Sequence, residues 1–178
     1  MWRRGIGAAL LHRQVFRDVS KEPEAILHAL GIVVFVAISH GLGLMDIVIG
    51  ETTHSFELGA LGERALNMWI LIMGATVGWV IWSFIAYVLG SKFLRGGASF
   101  RSVLRVMGVS HSPGTLLLLM PLPVIGVGFA YVGSLWVLVT TVVALHEIQD
   151  IDWVGATLST IGGWFIFFLI IPGLIGSP

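Results

Sequence analysis

Cysteine is absent from this sequence, which excludes disulfides, thiolate metal sites and cysteine nucleophiles and leaves the redox compartment open. Charge is scarce too: 11% of residues are Asp, Glu, Lys or Arg, against 56% hydrophobic, and the mean hydropathy is +0.94. A soluble domain of 178 residues keeps too much of its surface at the boundary with water to hide that much apolar area. The bilayer is the natural solvent for such a chain. Neither a GxxxxGK(S/T) phosphate loop nor a GxSxG nucleophile elbow is present.

What is present is a series of apolar runs. They predict an all-α, polytopic membrane helix bundle with five spans: about Leu27 to Ile49, Leu66 to Gly90, Ser102 to Met120, Val124 to Leu145 and Val154 to Ile175. Each approaches the roughly 20 residues that cross a hydrocarbon core. Residues 27–175 thus form the bundle, and residues 1–26 precede it as a cytoplasmic interfacial segment, with one helix expected from Arg3 to Val19. The twin arginine Arg3–Arg4 resembles a signal sequence, but the apolar patch after it is short and is cut by His12 and Arg13. Pro113 complicates the third span. With Ser112 as a cap it can start a new helix instead, leaving Phe100 to His111 on the surface and reducing the count to four. Only Pro121-Leu122-Pro123 separates the third and fourth spans, which implies a tight hairpin; Pro113, Pro121 and Pro123 are the hinge candidates.

The few charges are clumped. Arg3, Arg4, Arg13, Arg17 and Lys21 precede the first span, and Lys92, Arg95, Arg101 and Arg105 lie between the second span and the body of the third. The loop after the first span holds only Arg64, beside Glu51, Glu57 and Glu63. By the positive-inside rule the N-terminus and the loop around Lys92 are cytoplasmic, and five spans put the C-terminus outside. In that loop Gly96 and Gly97 read as a flexible turn and Ser99 as an N-cap for a helix starting at Phe100. Lys92, Arg95, Arg101 and Arg105 can meet anionic lipid headgroups or the acidic turn made by Glu147, Asp150 and Asp152. Ser110 and Ser112 flank His111 in sequence, so neither faces it as a nucleophile faces its base.

Small residues recur at helical spacing: Gly74 and Gly78; Gly126, Ala130 and Ser134; Gly155, Ser159 and Gly163. Such stripes let helices approach closely, within the bundle or against a partner. Trp69 and Trp153 fit an interfacial belt, whereas Trp79, Trp82, Trp136 and Trp164 are expected in the core. His40 and His111 lie within predicted spans, where an ionisable residue is a functional candidate. A neutral imidazole there can ligate haem iron or a chlorophyll magnesium, with Gly41 and Gly43 leaving room for a flat ring, or can simply bond a neighbouring helix. His146-Glu147-Ile148-Gln149-Asp150 begins like HExxH but has Asp150 at the second histidine, so no metal site is expected there. Glu51, His54 and Glu57 are spaced for a weak metal site only if helical; a solvated loop is the expectation.

Three stretches carry a resemblance: GSKFLRGGASFRSVLRVMGVSHSPG, then PLPVIG, then WVLVTTVVALHEIQDIDWVGA. Together they resemble the bacterial branch of the Yip-domain family of multi-span membrane proteins, with Phe100, Arg105, Gly108 and Pro113 at matching spacings over roughly residues 15 to 175. Val109 stands where members often have an aromatic, and Gly155 where they often have a lysine. The resemblance implies five spans and a cytoplasmic N-terminus, in a bacterial inner membrane. Eukaryotic relatives associate with small GTPases on trafficking membranes, a role not expected of a chain without their long N-terminal segment. The expected function is a non-enzymatic scaffold or accessory subunit of a larger membrane complex, with other membrane subunits or itself as partner and no nucleic acid. A small transporter or channel is the alternative, and an intramembrane hydrolase has the least support.

Overall fold

The computed structural model describes residues 2–49, 58–122 and 124–165. Among these the regular structure is entirely helical. Seven α-helices follow in order: α1 (Trp2–Ala9), α2 (Arg13–Lys21), α3 (Ala25–Ile49), α4 (Leu58–Val88), α5 (Phe100–Ser110), α6 (Gly126–Gln149) and α7 (Trp153–Phe165). A π-helical turn, Leu89–Phe93, extends α4, and a 3-10 segment, Ser112–Leu119, follows α5. Among the described residues three helical stretches are long and apolar enough to cross a membrane: Ala25–Leu42, Ala65–Phe93 and Gly126–Gln149. They correspond to the predicted first, second and fourth spans.

The predicted third span is not one continuous helix. Proline has no N–H to donate, and its ring collides with the carbonyl four residues back, so a helix cannot run through Pro113 undisturbed. The chain ends α5 with His111 N–H donating to Gly108 O (3.2 Å) and restarts in 3-10 form with Gly114 N–H donating to His111 O (2.8 Å). Phe100–His111 is packed into the bundle, with Val103, Val106, Met107, Val109 and Ser110 on α5 fully buried. Ser112 does not cap the segment or serve the break at Pro113; its hydroxyl donates to Gly5 O of α1 (2.8 Å). The fifth predicted span is described as α7 only as far as Phe165, and Pro123, Glu51, His54 and Glu57 lie outside the described residues.

The N-terminal segment is two helices rather than one. Leu11, at φ 58, reverses the chain between α1 and α2. Ala8, Phe16 and Val19 are buried against the bundle, Ser102 Oγ donates to Ser20 O (3.1 Å), and Trp136 Nε1 donates to Ala9 O (2.7 Å). The core lies between α3, α4, α5 and α6, around Val33, Trp79, Val106, Met107 and Leu145. One close crossing is at Gly108 of α5, where a Cβ would lie 2.5 Å from the Ala29 Cβ of α3 and 3.0 Å from the Trp79 ring. Trp79 and Trp82 are buried as expected; Trp136 and Trp164, expected in the core, remain partly exposed at 40% and 38%.

Candidate functional site

The loop between α4 and α5 is clamped, not loose. Gln149, at the end of α6, is fully buried and inserts its side chain at Gly90, inside the π-helical turn. Its carbonyl accepts from Gly97 N–H (3.0 Å), while Gly96 N–H donates to Gly90 O (2.9 Å) and Ser91 Oγ to Ala98 O (3.2 Å). Arg95 adopts a left-handed φ of 60. Gly96 therefore allows close approach to α6, a Cβ there lying 3.0 Å from Gln149. Ser99 caps α5 as expected, accepting from Ser102 N–H (3.2 Å).

Lys92, Arg95 and Arg101 are exposed, and Arg105 is buried. Arg105 Nε donates to Arg101 O (3.0 Å), and its guanidinium reaches Ser102 Oγ (3.5 Å). Among the described residues none of these four basic side chains makes an ion pair; the acidic turn is met from elsewhere. Glu147, whose side chain is only 5% exposed, pairs with Arg17 of α2 and lies 4.0 Å from Arg13. Arg13 also sits over the Trp153 ring (5.5 Å to its centroid), and His146 stacks on the same indole at 3.8 Å. His146 Nδ1 donates to Ile151 O (2.6 Å), and Asp152 accepts from Gly155 N–H (2.9 Å), capping α7. His146 and Glu147 of the HExxH-like stretch thus have structural occupations, a stack and an ion pair. The described residues contain no cluster of three or more metal-ligating side chains.

The second polar site lies in the interior. A half-open cavity of about 520 Å³ runs between α3, α4, α6, α7 and the 3-10 segment. It joins the two histidines singled out in sequence, His40 and His111, with Trp79, Trp82, Tyr131 and Trp164. The break at Pro113 is what puts His111 there, since it makes His111 the last residue before the chain changes helix type. His111 Nδ1 lies 2.7 Å from Met107 O, so that nitrogen carries the proton, and the Trp82 ring stands edge-on to the imidazole at 5.5 Å. Trp82 Nε1 donates to Thr160 O and Trp79 Nε1 to Leu104 O, both at 3.0 Å. The cavity was not legible beforehand, because its walls come from five segments that no local pattern links.

The small-residue stripes divide. On α7, Gly155, Ser159 and Gly163 are buried; a Cβ at Gly163 would lie 2.3 Å from the Trp82 ring, and one at Gly155 2.9 Å from Leu94. Gly78 is buried and lines the cavity, but a Cβ at Gly74 would meet none of the described residues within 4 Å. On α6, Gly126 fits a turn, its Cβ position being 2.0 Å from Met120 O. Ala130 and Ser134 line the cavity, with Ser134 exposed, and Gly128 faces open space. A glycine of α6 that the sequence stripe omits, Gly133, packs within the bundle against Leu116 and Pro113. Pro121 lies in the turn that leads to α6.

A family model described as the Yip1 domain matches residues 8–175, and the chain belongs to that family. No curated protein and no solved structure matches it.

Proposed function

We propose that this Yip1-domain protein is a non-enzymatic integral membrane scaffold, or accessory subunit, that docks on partner membrane helices. The observation that carries the reading is the open glycine on each of two spanning helices, Gly74 on α4 and Gly128 on α6. A glycine inside a helix costs about 1 kcal/mol relative to alanine. That cost is offset where α5 meets α3 at Gly108, whereas none of the described residues offsets it at Gly74 or Gly128. Exposed large apolar side chains flank both: Ile70, Met73 and Val77 on α4, Val127, Tyr131 and Val132 on α6. Lipid covers such side chains readily; a bare stretch of backbone beside them suits a close helix–helix contact.

The proposed arrangement has five crossings, with the N-terminus and the Lys92 loop cytoplasmic and the C-terminus outside. α5 and the 3-10 segment together rise about 32 Å, close to the roughly 30 Å of a hydrocarbon core, so a broken third crossing has the needed reach. The bacterial resemblance of the loop motifs suggests the inner membrane. Isolation of the tagged chain from its native membrane in mild detergent tests the reading. A stoichiometric set of partner subunits that is lost with Gly74→Leu or Gly128→Leu supports it; a bare protein that survives both changes unaltered refutes it. The half-open cavity beside a broken helix favours a small transporter as the second reading, which flux into liposomes would separate from the first.

A further inference from the structure

The cavity between α3, α4, α6, α7 and the 3-10 segment makes an unusual set of chemical demands on an occupant. Among the described residues its lining includes no Lys, Arg, Asp or Glu. A charged ligand would lose its water there without gaining a counter-charge, which is strongly unfavourable. This argues against haem in particular, whose two carboxylates would meet no cation along the wall. The indoles of Trp79 and Trp82 have already given their N–H groups to Leu104 O and Thr160 O, so they offer the cavity only apolar ring surface. Ser134 has likewise donated its hydroxyl hydrogen to Ala130 O (2.8 Å).

His111 supplies the opposite. Its Nδ1–H is spent on Met107 O, so the neutral ring has one remaining polar atom, the bare lone pair of Nε2. Trp82, edge-on to the imidazole, and the 3-10 segment hold the ring in place. His40 lines the same space and makes no hydrogen bond among the described residues, so it is available to a second oxygen. Aromatic walls, no charged side chain among the described lining residues and the open lone pair of His111 together define the missing partner.

We infer that the cavity binds an uncharged, lipophilic ring compound that donates a hydroxyl hydrogen bond to His111 Nε2: a phenol or hydroquinone of the lipid phase. The volume of about 520 Å³ is within the range of small-molecule sites, and the apolar wall with few oriented polar groups is their usual composition. The inference is independent of the scaffold reading, because it concerns the isolated chain and needs no partner helix.

Three probes with the same ring test it on the full chain in nanodiscs, with empty discs as blank: 2-naphthol, naphthalene and 2-naphthoate. The expected order is 2-naphthol tighter than naphthalene by about tenfold, the worth of one well-made hydrogen bond, with no saturable binding of 2-naphthoate. His111→Phe keeps a flat ring but removes the acceptor, and should bring 2-naphthol down to the level of naphthalene. Since His111 also holds the end of α5, Ala130→Phe provides a variant that leaves that contact intact. It fills the cavity from α6 and should abolish binding of both neutral probes. Equal binding of 2-naphthol and naphthalene to the unaltered chain would overturn the inference and make the cavity a plain apolar void. So would saturable binding of 2-naphthoate, 2-naphthol binding that survives Ala130→Phe, or no saturable binding above the blank.

Discussion

Gln149 of α6 occupies the space where Gly90 has no side chain, so closely that a Cβ at Gly90 would lie 1.4 Å from Gln149 Oε1. The contact joins the end of one spanning helix to the π-helical turn that ends another, and the loop bearing Lys92 and Arg95 is folded over it. Overpacking a closed site costs about 1–3 kcal/mol. Gly90→Ala should therefore destabilise the protein by about that amount in reversible unfolding from detergent micelles. Combining it with Gln149→Ala should recover part of the loss; strictly additive effects would show that the two residues do not share this space.

Glu147 is nearly enclosed, and Arg17 is its nearest cation. Removing one partner of an enclosed pair leaves a charge without compensation. Because both arginines are more than half exposed, the expected loss is reduced to about 1–3 kcal/mol for Arg17→Ala. The loss should be smaller when Glu147→Gln is already present. An equal effect in both backgrounds, read as the melting midpoint, would remove the ion pair as the anchor of α2.

At Gly108, α5 crosses α3 closely, with no room for a Cβ beside Ala29. Gly108→Val places branched carbon against Ala29 and should lower stability by about 2–4 kcal/mol, through overpacking together with strain in two helices. Ala29→Gly, which clears the nearest carbon, should partly rescue it. Lack of any rescue would place the damage elsewhere than in this crossing.

The absence of cysteine makes topology testable with single replacements. Lys92→Cys and Val124→Cys both report exposed positions, one before and one after the broken third segment. A membrane-impermeant thiol reagent added to intact cells should label Val124→Cys, while Lys92→Cys should react only after the membrane is opened. Labelling of both from the same side would sink the broken crossing and with it the five-span arrangement.

Several features were legible because their causes are local. Long apolar runs gave α3, α4 and α6, since a backbone in hydrocarbon must satisfy its own hydrogen bonds. Ser99 as a cap depended on three neighbouring residues. Pro113 announced a break, although its form did not follow from the sequence, because the restart as a 3-10 segment depends on packing against α3 and α6. The acidic turn was expected to meet Lys92, Arg95, Arg101 or Arg105, but α2 lies against α6 and brings it Arg17, 130 positions from Glu147.

By itself, then, the sequence determined the solvent of this protein and the course of three of its helices, for hydropathy over twenty residues needs no knowledge of neighbours. Only the tertiary structure decided which glycines are used and which are left open, for Gly74 and Gly163 have the same local character and differ in whether an indole lies across from them. It also brought His40 and His111 to one aromatic-walled cavity, because a cavity belongs to the gaps between segments and has no signature along any one of them.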